Sequence, residues 1–417
     1  MAARHGRQRR PSAWRALGKG LAASVAVLLV STLGVAAYAV ADLYDDIQEP
    51  PNFTLESEEV LADIPDIGVM DGGLTFFLAG IDKRPADGAF GDPEEDSAVL
   101  NDVNLLVHIA QDHSHVEVVS FPRDMLVRVP ECADPNGAEG ETLSAMSGVK
   151  LNTVFHHGGL GCVAKTVEEL VGIPIPLAGV VEFYGVAAIS EAIGGVDVCL
   201  ADPIDDPLSG LVLDAGHHSI SGMTALAFLR TRHGVGDGSD LGRISSQQAF
   251  MASLMRKVQQ EGVLEDPIRM YSIAKAALAN MQLSSHLQDP ATLISIARTV
   301  QDLDLSNIVF VQYPTGYTDD MSAVVPSDSA EAVNAALQAD APIALSATAT
   351  DDASFGTAPE APAGEPVPEG EAPADGEAPA DGTGVDGTGA PAGPPTLPND
   401  VTGQSGDEVR CSTANPG

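Results

Sequence analysis

Positive charge is scarce in this 417-residue chain, where 21 Lys and Arg stand against 59 Asp and Glu for a formal net charge of −38. That balance disfavours nucleic-acid binding, which needs a basic face, so no nucleic-acid partner is expected. Cysteine is also spare, with four residues and no Cys-x-x-Cys spacing, which argues against a thiolate metal site. No Gly-x-x-x-x-Gly-Lys-Ser/Thr run occurs, so the chain carries no P-loop. His156-His157 and His217-His218 each lack a third ligand close in sequence, and both pairs read as local features of a helix end or turn.

Two further absences divide the chain. Residues 20–41 (GLAASVAVLLVSTLGVAAYAVA) carry no charge, and residues 1–19 before them hold six Lys and Arg and no acid. An apolar run of about 20 residues suffices to cross a hydrocarbon layer, and a basic flank stays cytoplasmic. The expectation is a single uncleaved span at the cell membrane, with residues 1–19 inside and everything after it extracellular. Residues 42–73 form a polar connector. Residues 350–408 contain no Lys or Arg but 13 Asp and Glu, many Pro, Ala and Gly, and GEAPAD twice. Such a composition cannot offset the entropy of ordering. The folded domain is therefore expected over 74–345, followed by a disordered acidic tail over 346–417. Cysteines in an exported region form disulfides. Four allow three pairings, of which Cys132 with Cys162 is expected because both flank one loop before a helix. Cys411, alone near the end of the tail, suits a tether to the domain.

Between these segments apolar strands and amphipathic helices alternate. LTFFLAGI (74–81), VNLLVHIA (103–110), HVEVVSF (115–121) and IVFVQY (308–313) read as strands, the middle two as a hairpin. Residues 163–171, 183–193, 249–260, 267–281 and 290–303 read as helices, and the double glycine at 158–159 breaks the first helical stretch. The interleaved order predicts an α/β fold, a three-layer α/β/α sandwich around a central mixed sheet.

One stretch departs from the acidic composition. LAFLRTRHGVGDGSDLGRISSQQ (226–248) places Arg230, Arg232 and Arg243 around four glycines, Asp237 and Asp240, and ends in two glutamines. It reads as a flexible basic loop between two helices. Guanidinium forks and glycine-exposed backbone N–H groups suit phosphate oxygens. Other charged residues lie at the ends of apolar elements, where open α/β sheets place ligands. These are Asp82 and Arg84 after the first strand, Asp102 before the second, and Arg123 after the third. Three aspartates and five arginines fit a metal-bound diphosphate, with Mg²⁺ or Mn²⁺ as the metal.

Seven stretches, in order, resemble the LytR-CpsA-Psr family of Gram-positive cell envelopes. They are FFLAGIDKRP (76–85), NDVNLLVHI (101–109), VVSFPRDMLV (118–127), KLNTVFHHGG (150–159), TVEELVGIPI (166–175), AIGGVDV (192–198), and ALAFLRTR with GSDLGRISSQQ (225–248). The resemblance implies a phosphotransferase that moves a glycopolymer from a polyprenyl-pyrophosphate carrier to a peptidoglycan hydroxyl and leaves a phosphodiester. It implies that Asp82 and Asp102 lie beside Mg²⁺, and that Arg123, Arg230, Arg232, Arg243 and Gln247 contact the pyrophosphate. It also implies that Asp240 orients Arg243 or helps deprotonate the acceptor, and that an apolar pocket between sheet and helices holds the lipid. Members often carry arginine two residues before the Asp102 position, where this chain has Leu100; Arg84 is the nearest replacement. The same site with water as acceptor would be a pyrophosphate hydrolase, and without turnover a scaffold that binds lipid-linked glycan.

Overall fold

The computed structural model describes residues 73–82, 99–138, 140–260, 262–263, 265–346, 349, 354–357 and 396–415, with scattered residues between 24 and 57. Arg84 and most of the expected span at 20–41 lie outside them. Among the described residues no helix is long and apolar enough to cross a membrane.

From Gln48 onward the chain forms one compact unit, separate from a small unit ending at Ile47. In chain order its main elements are β1 (Leu74–Ile81), β2 (Asn101–Ile109), β3 (Val116–Ser120), α1 (Val154–Val171), β4 (Leu177–Val181) and α2 (Phe183–Ile193). There follow β5 (Val196–Leu200), β6 (Gly216–Ile220), α3 (Gly222–Arg230), α4 (Asp240–Gln260), α5 (Pro267–Asn280), β7 (Met281–Leu283) and α6 (Pro290–Gln301). The last are β8 (Ile308–Gln312), α7 (Ala330–Gln338), β9 (Phe355–Gly356), β10 (Gly403–Ser405) and β11 (Cys411–Ser412).

Seven strands form the central sheet in the order β7-β4-β1-β2-β3-β8-β10. β1 with β4 and β3 with β8 are parallel, while β1 with β2 and β2 with β3 are antiparallel, so the sheet is mixed as expected. It follows that β1, β3, β4 and β8 run the same way and end at one edge. One face of the sheet is fully packed: Phe77, Leu106, Val119 and Val311 meet Val163 and Val167 of α1 and Val333 of α7. The other face differs. There Phe76 and Leu78 of β1 and Val103 and Val107 of β2 are only half-buried, and α5 buries Leu278 alone. On the same face Leu105, Val118, Leu177 and Phe310 are buried, so the half-buried patch is confined to parts of β1 and β2.

Local chemistry accounts for the boundaries. Asp266 caps α5 by accepting from the Ile268 and Arg269 N–H groups, with Pro267 in the first turn. Gly158 and Gly159 leave helical geometry and kink α1, Gly159 at φ 66°. Cys132 and Cys162 are bonded, as expected from their placement.

Two expectations need correction. The arginine stretch is not a loop up to residue 248, because α4 begins at Asp240. An acid in the first turn complements the helix dipole and favours that start. The expected tail is also not wholly outside the domain. β10 pairs antiparallel with β8 as the last strand of the central sheet. β11 pairs in parallel with β5, and Cys411 bonds Cys199 across 212 residues. Ladder hydrogen bonds and the cross-link order residues 396–415, which the acidic composition of their neighbours had hidden.

At the edge away from the arginines, His115 Nδ1 lies 2.6 Å from Glu117 Oε1, and both side chains are buried. Burial, the largest single influence, would lower the imidazole's pKa. The hydrogen bond and charge of Glu117, with Asp340 and Asp112, outweigh it and raise the value above 6.5. A raised histidine contributes stability that is fully present below pH 6.5 and is lost as pH climbs through the raised value. Between pH 6 and 9 the melting temperature should therefore fall further in the native chain than in His115→Gln. Parallel curves in differential scanning fluorimetry would refute this.

Candidate active site

The C-terminal ends of β1 and β3 and the start of β2 share one edge, and the site is built there. Pairing of β1 with β2 slips between Gly80 and Ile81, which face Val103 and Asn101. Asp102 is the extra residue of this bulge, a device that re-aims a side chain at a strand end. Asp82 closes β1 beside it, its N–H donating to the Leu100 carbonyl and its Oδ1 accepting from the Leu100 N–H.

Arg123 follows β3 and is held at both ends. Its backbone N–H donates to Asp240 Oδ2 at 3.1 Å, and its carbonyl accepts from the Asn152 N–H at 3.0 Å. Its Nη1 donates to Asp102 Oδ1 at 2.5 Å. From the first turn of α4, Arg243 Nη2 donates to the Asp102 carbonyl at 2.8 Å. The same nitrogen lies 2.5 Å from Asp240 Oδ1, an ion pair by distance that is not aligned as a hydrogen bond. Asp102, Arg123, Asp240 and Arg243 thus form one linked array, neutral in sum, with the Arg243 side chain 5% exposed.

Two features bear on what this array could hold. Buried Nε groups of Arg123 and Arg243 have no hydrogen-bond partner. Burial, with repulsion from Arg123 and Arg232, also holds the Arg243 pKa below the ordinary arginine value despite Asp240 and Asp102. Arginine stays charged even so, and an arriving phosphate oxygen would satisfy both donors and charge. Arg123 differs: burial opposes its charge, but Asp102, Asp240 and Asp124 outweigh burial and raise its pKa.

Arg232 is half-buried, and its charge is felt by Arg243. Arg230, the last residue of α3, is exposed. Arg232 thus adds positive charge beside Arg243, and Arg230 stands just before it at the end of α3. Gln247 is buried in α4 and donates Nε2 to the Leu229 carbonyl at 2.9 Å, so it ties α4 to the end of α3. Sequence reasoning missed Asp124 and Lys150, an ion pair at 2.8 Å that also lies against Arg123. Asn152, whose buried Oδ1 lacks a partner, was missed as well. All three fall within the quoted motifs, where they passed for turn and helix-start residues.

The loop from Arg232 to Ser239 is fastened from both sides. Thr231 Oγ1 donates to Asp206 Oδ2 at its start, and Val235 is wholly buried in the β5, α3 and α4 core. The C-terminal segment then runs beside it. The Gly236 N–H donates to the Thr413 carbonyl at 3.0 Å, the Asn415 N–H donates to the Gly234 carbonyl at 3.2 Å, and Val235 bridges Ala414. Gly238 sits at φ 77°, a conformation that favours glycine, and a Cβ there would push aside the end of the Asn415 side chain, 2.6 Å away.

Among the described residues no group of three or more His, Cys, Asp or Glu could hold a metal alone. Asp102 nevertheless remains 26% exposed and spends one oxygen on Arg123, and Asp82 adjoins it through Leu100. Mg²⁺ keeps several waters and uses one or two carboxylates plus substrate phosphates, so this pair fits it as a shared site and not as a cage.

Comparison with known proteins places the chain in context. It is 29% identical over 317 residues to the cell wall biosynthesis protein LcpA of Corynebacterium glutamicum, which covers 71% of this chain and 59% of LcpA. The chain thus spans less than two thirds of that relative's length. It is 26% identical over 245 residues to TagT of Bacillus subtilis, named a polyisoprenyl-teichoic acid–peptidoglycan teichoic acid transferase, over 57% of this chain and 69% of TagT. A crystal structure of a Streptococcus agalactiae protein matches in fold at TM-score 0.50 and 20% identity, over 64% of this chain and 88% of that one. The family model for LytR-CpsA-Psr proteins matches residues 47–339, well over half of the chain and the whole of the arginine array. The chain belongs to the LytR-CpsA-Psr family.

Proposed function

We propose that this chain is a membrane-anchored, Mg²⁺-dependent phosphotransferase. It moves a glycopolymer from a polyprenyl-pyrophosphate carrier to a peptidoglycan hydroxyl outside the cell. The observation that carries this reading is the array of Asp102, Arg123, Asp240 and Arg243, with unsatisfied buried guanidinium donors. The half-buried apolar patch on β1 and β2 supports a place for the lipid beside it. The names borne by LcpA and TagT point the same way.

In the reaction, the acceptor hydroxyl oxygen attacks the glycan-side phosphorus. The bond from that phosphorus to the bridging oxygen breaks, and polyprenyl phosphate leaves. Its second ionisation lies near pH 6, so it can carry off the hydroxyl proton. Arg123 and Arg243 offer Nε donors to the phosphate oxygens, and Arg230 and Arg232 offset charge as it gathers on the leaving group. Asp240 has one oxygen on the Arg123 backbone and the other against Arg243, which makes it an orienting carboxylate. Mg²⁺ beside Asp82 and Asp102 would neutralise pyrophosphate charge when bound.

The test uses the full chain in detergent with a short-chain polyprenyl-pyrophosphoryl glycan and peptidoglycan fragments, with Mg²⁺ or with chelator. Mass spectrometry should find a glycan-phosphate-peptidoglycan adduct that needs the metal and is lost in Arg232→Ala. Free glycan phosphate without adduct would instead indicate hydrolysis, and lipid binding without turnover a scaffold. Leu100 offers a gain-of-function check. A charge-assisted hydrogen bond is worth about 1.5–3 kcal/mol, so Leu100→Arg should raise transfer at least about tenfold. Unchanged or lower turnover would show that this position no longer faces the pyrophosphate.

A further inference from the structure

The far half of α4 carries two further cations, away from the arginine array. Arg256 and Lys257 line an open cavity of about 160 Å³, together with His217 of β6 and Arg410 and Ser412 of the C-terminal segment. Among its described lining residues Asp197 is the one acid. In a chain with 59 acidic and 21 basic residues, a lining with three such cations to one acid stands out, with Glu408 and Asp407 just outside it. A second observation points to a ligand. Ser412 is 1% exposed, and its hydroxyl has no hydrogen-bond partner. Such a buried orphan calls for an explanation, and an acceptor in the cavity supplies one.

The cations are built in and not loosely solvated. Arg256 Nη1 donates to the Gly406 carbonyl at 2.9 Å and to that of Glu408, which fixes the guanidinium against the C-terminal segment. Arg410 stacks 4.8 Å over the Phe355 ring and pairs with Glu408 at 3.1 Å. Burial pulls the Arg256 pKa below the ordinary arginine value, with Asp407 only partly offsetting it. A helix rises about 1.5 Å per residue, which sets Arg256 roughly 20 Å from Arg243. This is a different place from the pyrophosphate site.

We propose that the cavity is a second anion site that takes one phosphate group, borne by a soluble phosphoester or by a lipid headgroup. Donors arrive from α4, β6 and the C-terminal segment, three separate directions that suit tetrahedral oxygens better than a planar carboxylate. Arginine forks and an ammonium group are the side chains that hold phosphate. The cavity would bind phosphate whether or not the array at the sheet edge transfers polymer.

The test reads the rate at which Lys257 is acetylated, by mass spectrometry of the full chain. In detergent, glycerol phosphate should slow Lys257 several-fold and leave Lys165 unchanged. In nanodiscs, phosphatidylglycerol in place of phosphatidylcholine should do the same if the headgroup is the source. Ser412→Ala, with an unchanged melting temperature, should lose most of this protection. Protection from glycerol phosphate assigns a soluble phosphoester, and protection only in the anionic nanodiscs assigns a lipid. Absence of protection in both, equal slowing at Lys165, or full protection in a folded Ser412→Ala variant would overturn the site.

Discussion

Alanine in place of Arg243 is expected to abolish polymer transfer and to lower the melting temperature in the same step. The side chain is 5% exposed, pairs with an Asp240 that is 10% exposed, and holds the Asp102 carbonyl. Removing it takes away the nearest cation of a mostly buried Asp240, which keeps the Arg123 N–H and, at 3.8 Å, the Arg123 Nε; breaking a buried pair outright costs about 3–5 kcal/mol, and the loss here falls below that. It also removes a donor aimed at charge that grows in the transition state, typically about 10²–10³ in rate. The two effects can be separated. Asp240→Asn combined with Arg243→Met removes both charges at similar volume, so it should recover much of the stability and none of the transfer. Arg243→Lys keeps the charge without the planar fork and should restore folding better than turnover. Calorimetry and the adduct assay check both halves, and an Arg243→Ala variant that transfers polymer at the native rate would remove this residue from the mechanism.

The second large effect is expected from Cys411→Ser. The Cys199–Cys411 bond closes a separation of 212 residues, against 30 for Cys132–Cys162. Loss of a native disulfide costs about 2–5 kcal/mol, with the longer loop at the upper end. The consequence for activity is more specific. Residues two and four beyond Cys411 are Thr413 and Asn415, whose backbones fasten the loop between Arg232 and Asp240. Once the bond is gone, that loop loses an edge partner, and transfer per folded molecule should fall about tenfold or more, because small displacements at a reacting centre are costly. Cys132→Ser serves as the contrast. It should lower the melting temperature yet leave transfer per folded molecule near the native level. Reductant on the native chain should reproduce the Cys411→Ser kinetics. Equal loss of turnover in the two cysteine variants would mean that the segment supports stability alone.

Much of the site could be read from residue order because its members lie at the ends of apolar runs. Asp82 and Arg123 follow strands whose ends hydropathy marks well, whereas Asp102, expected just before β2, is its second residue, because the strand begins two residues ahead of the apolar run. The start of α4 was hidden for a physical reason. Its buried face at Ser245, Ser246, Gln247 and Gln248 is polar, satisfied in part by the Leu229 carbonyl and Ser120 Oγ, so no apolar period announces a helix there. Asp124 and Lys150 are 26 residues apart and meet only through tertiary folding. The C-terminal segment was hidden by averaging. Leu397 and Val401 are buried in the main core, but they follow a long stretch of Pro, Ala, Gly and acids that dominates any composition window.

That segment changes what the acidic stretch between residues 357 and 396 is. It is not a free end but an insertion, attached to the domain through Gly356 in β9 and through Thr396, which bridges Ala344. A protease that cuts within it releases nothing while Cys199 and Cys411 remain bonded. The two fragments would stay together as a nicked, working molecule and separate on a gel only after reduction.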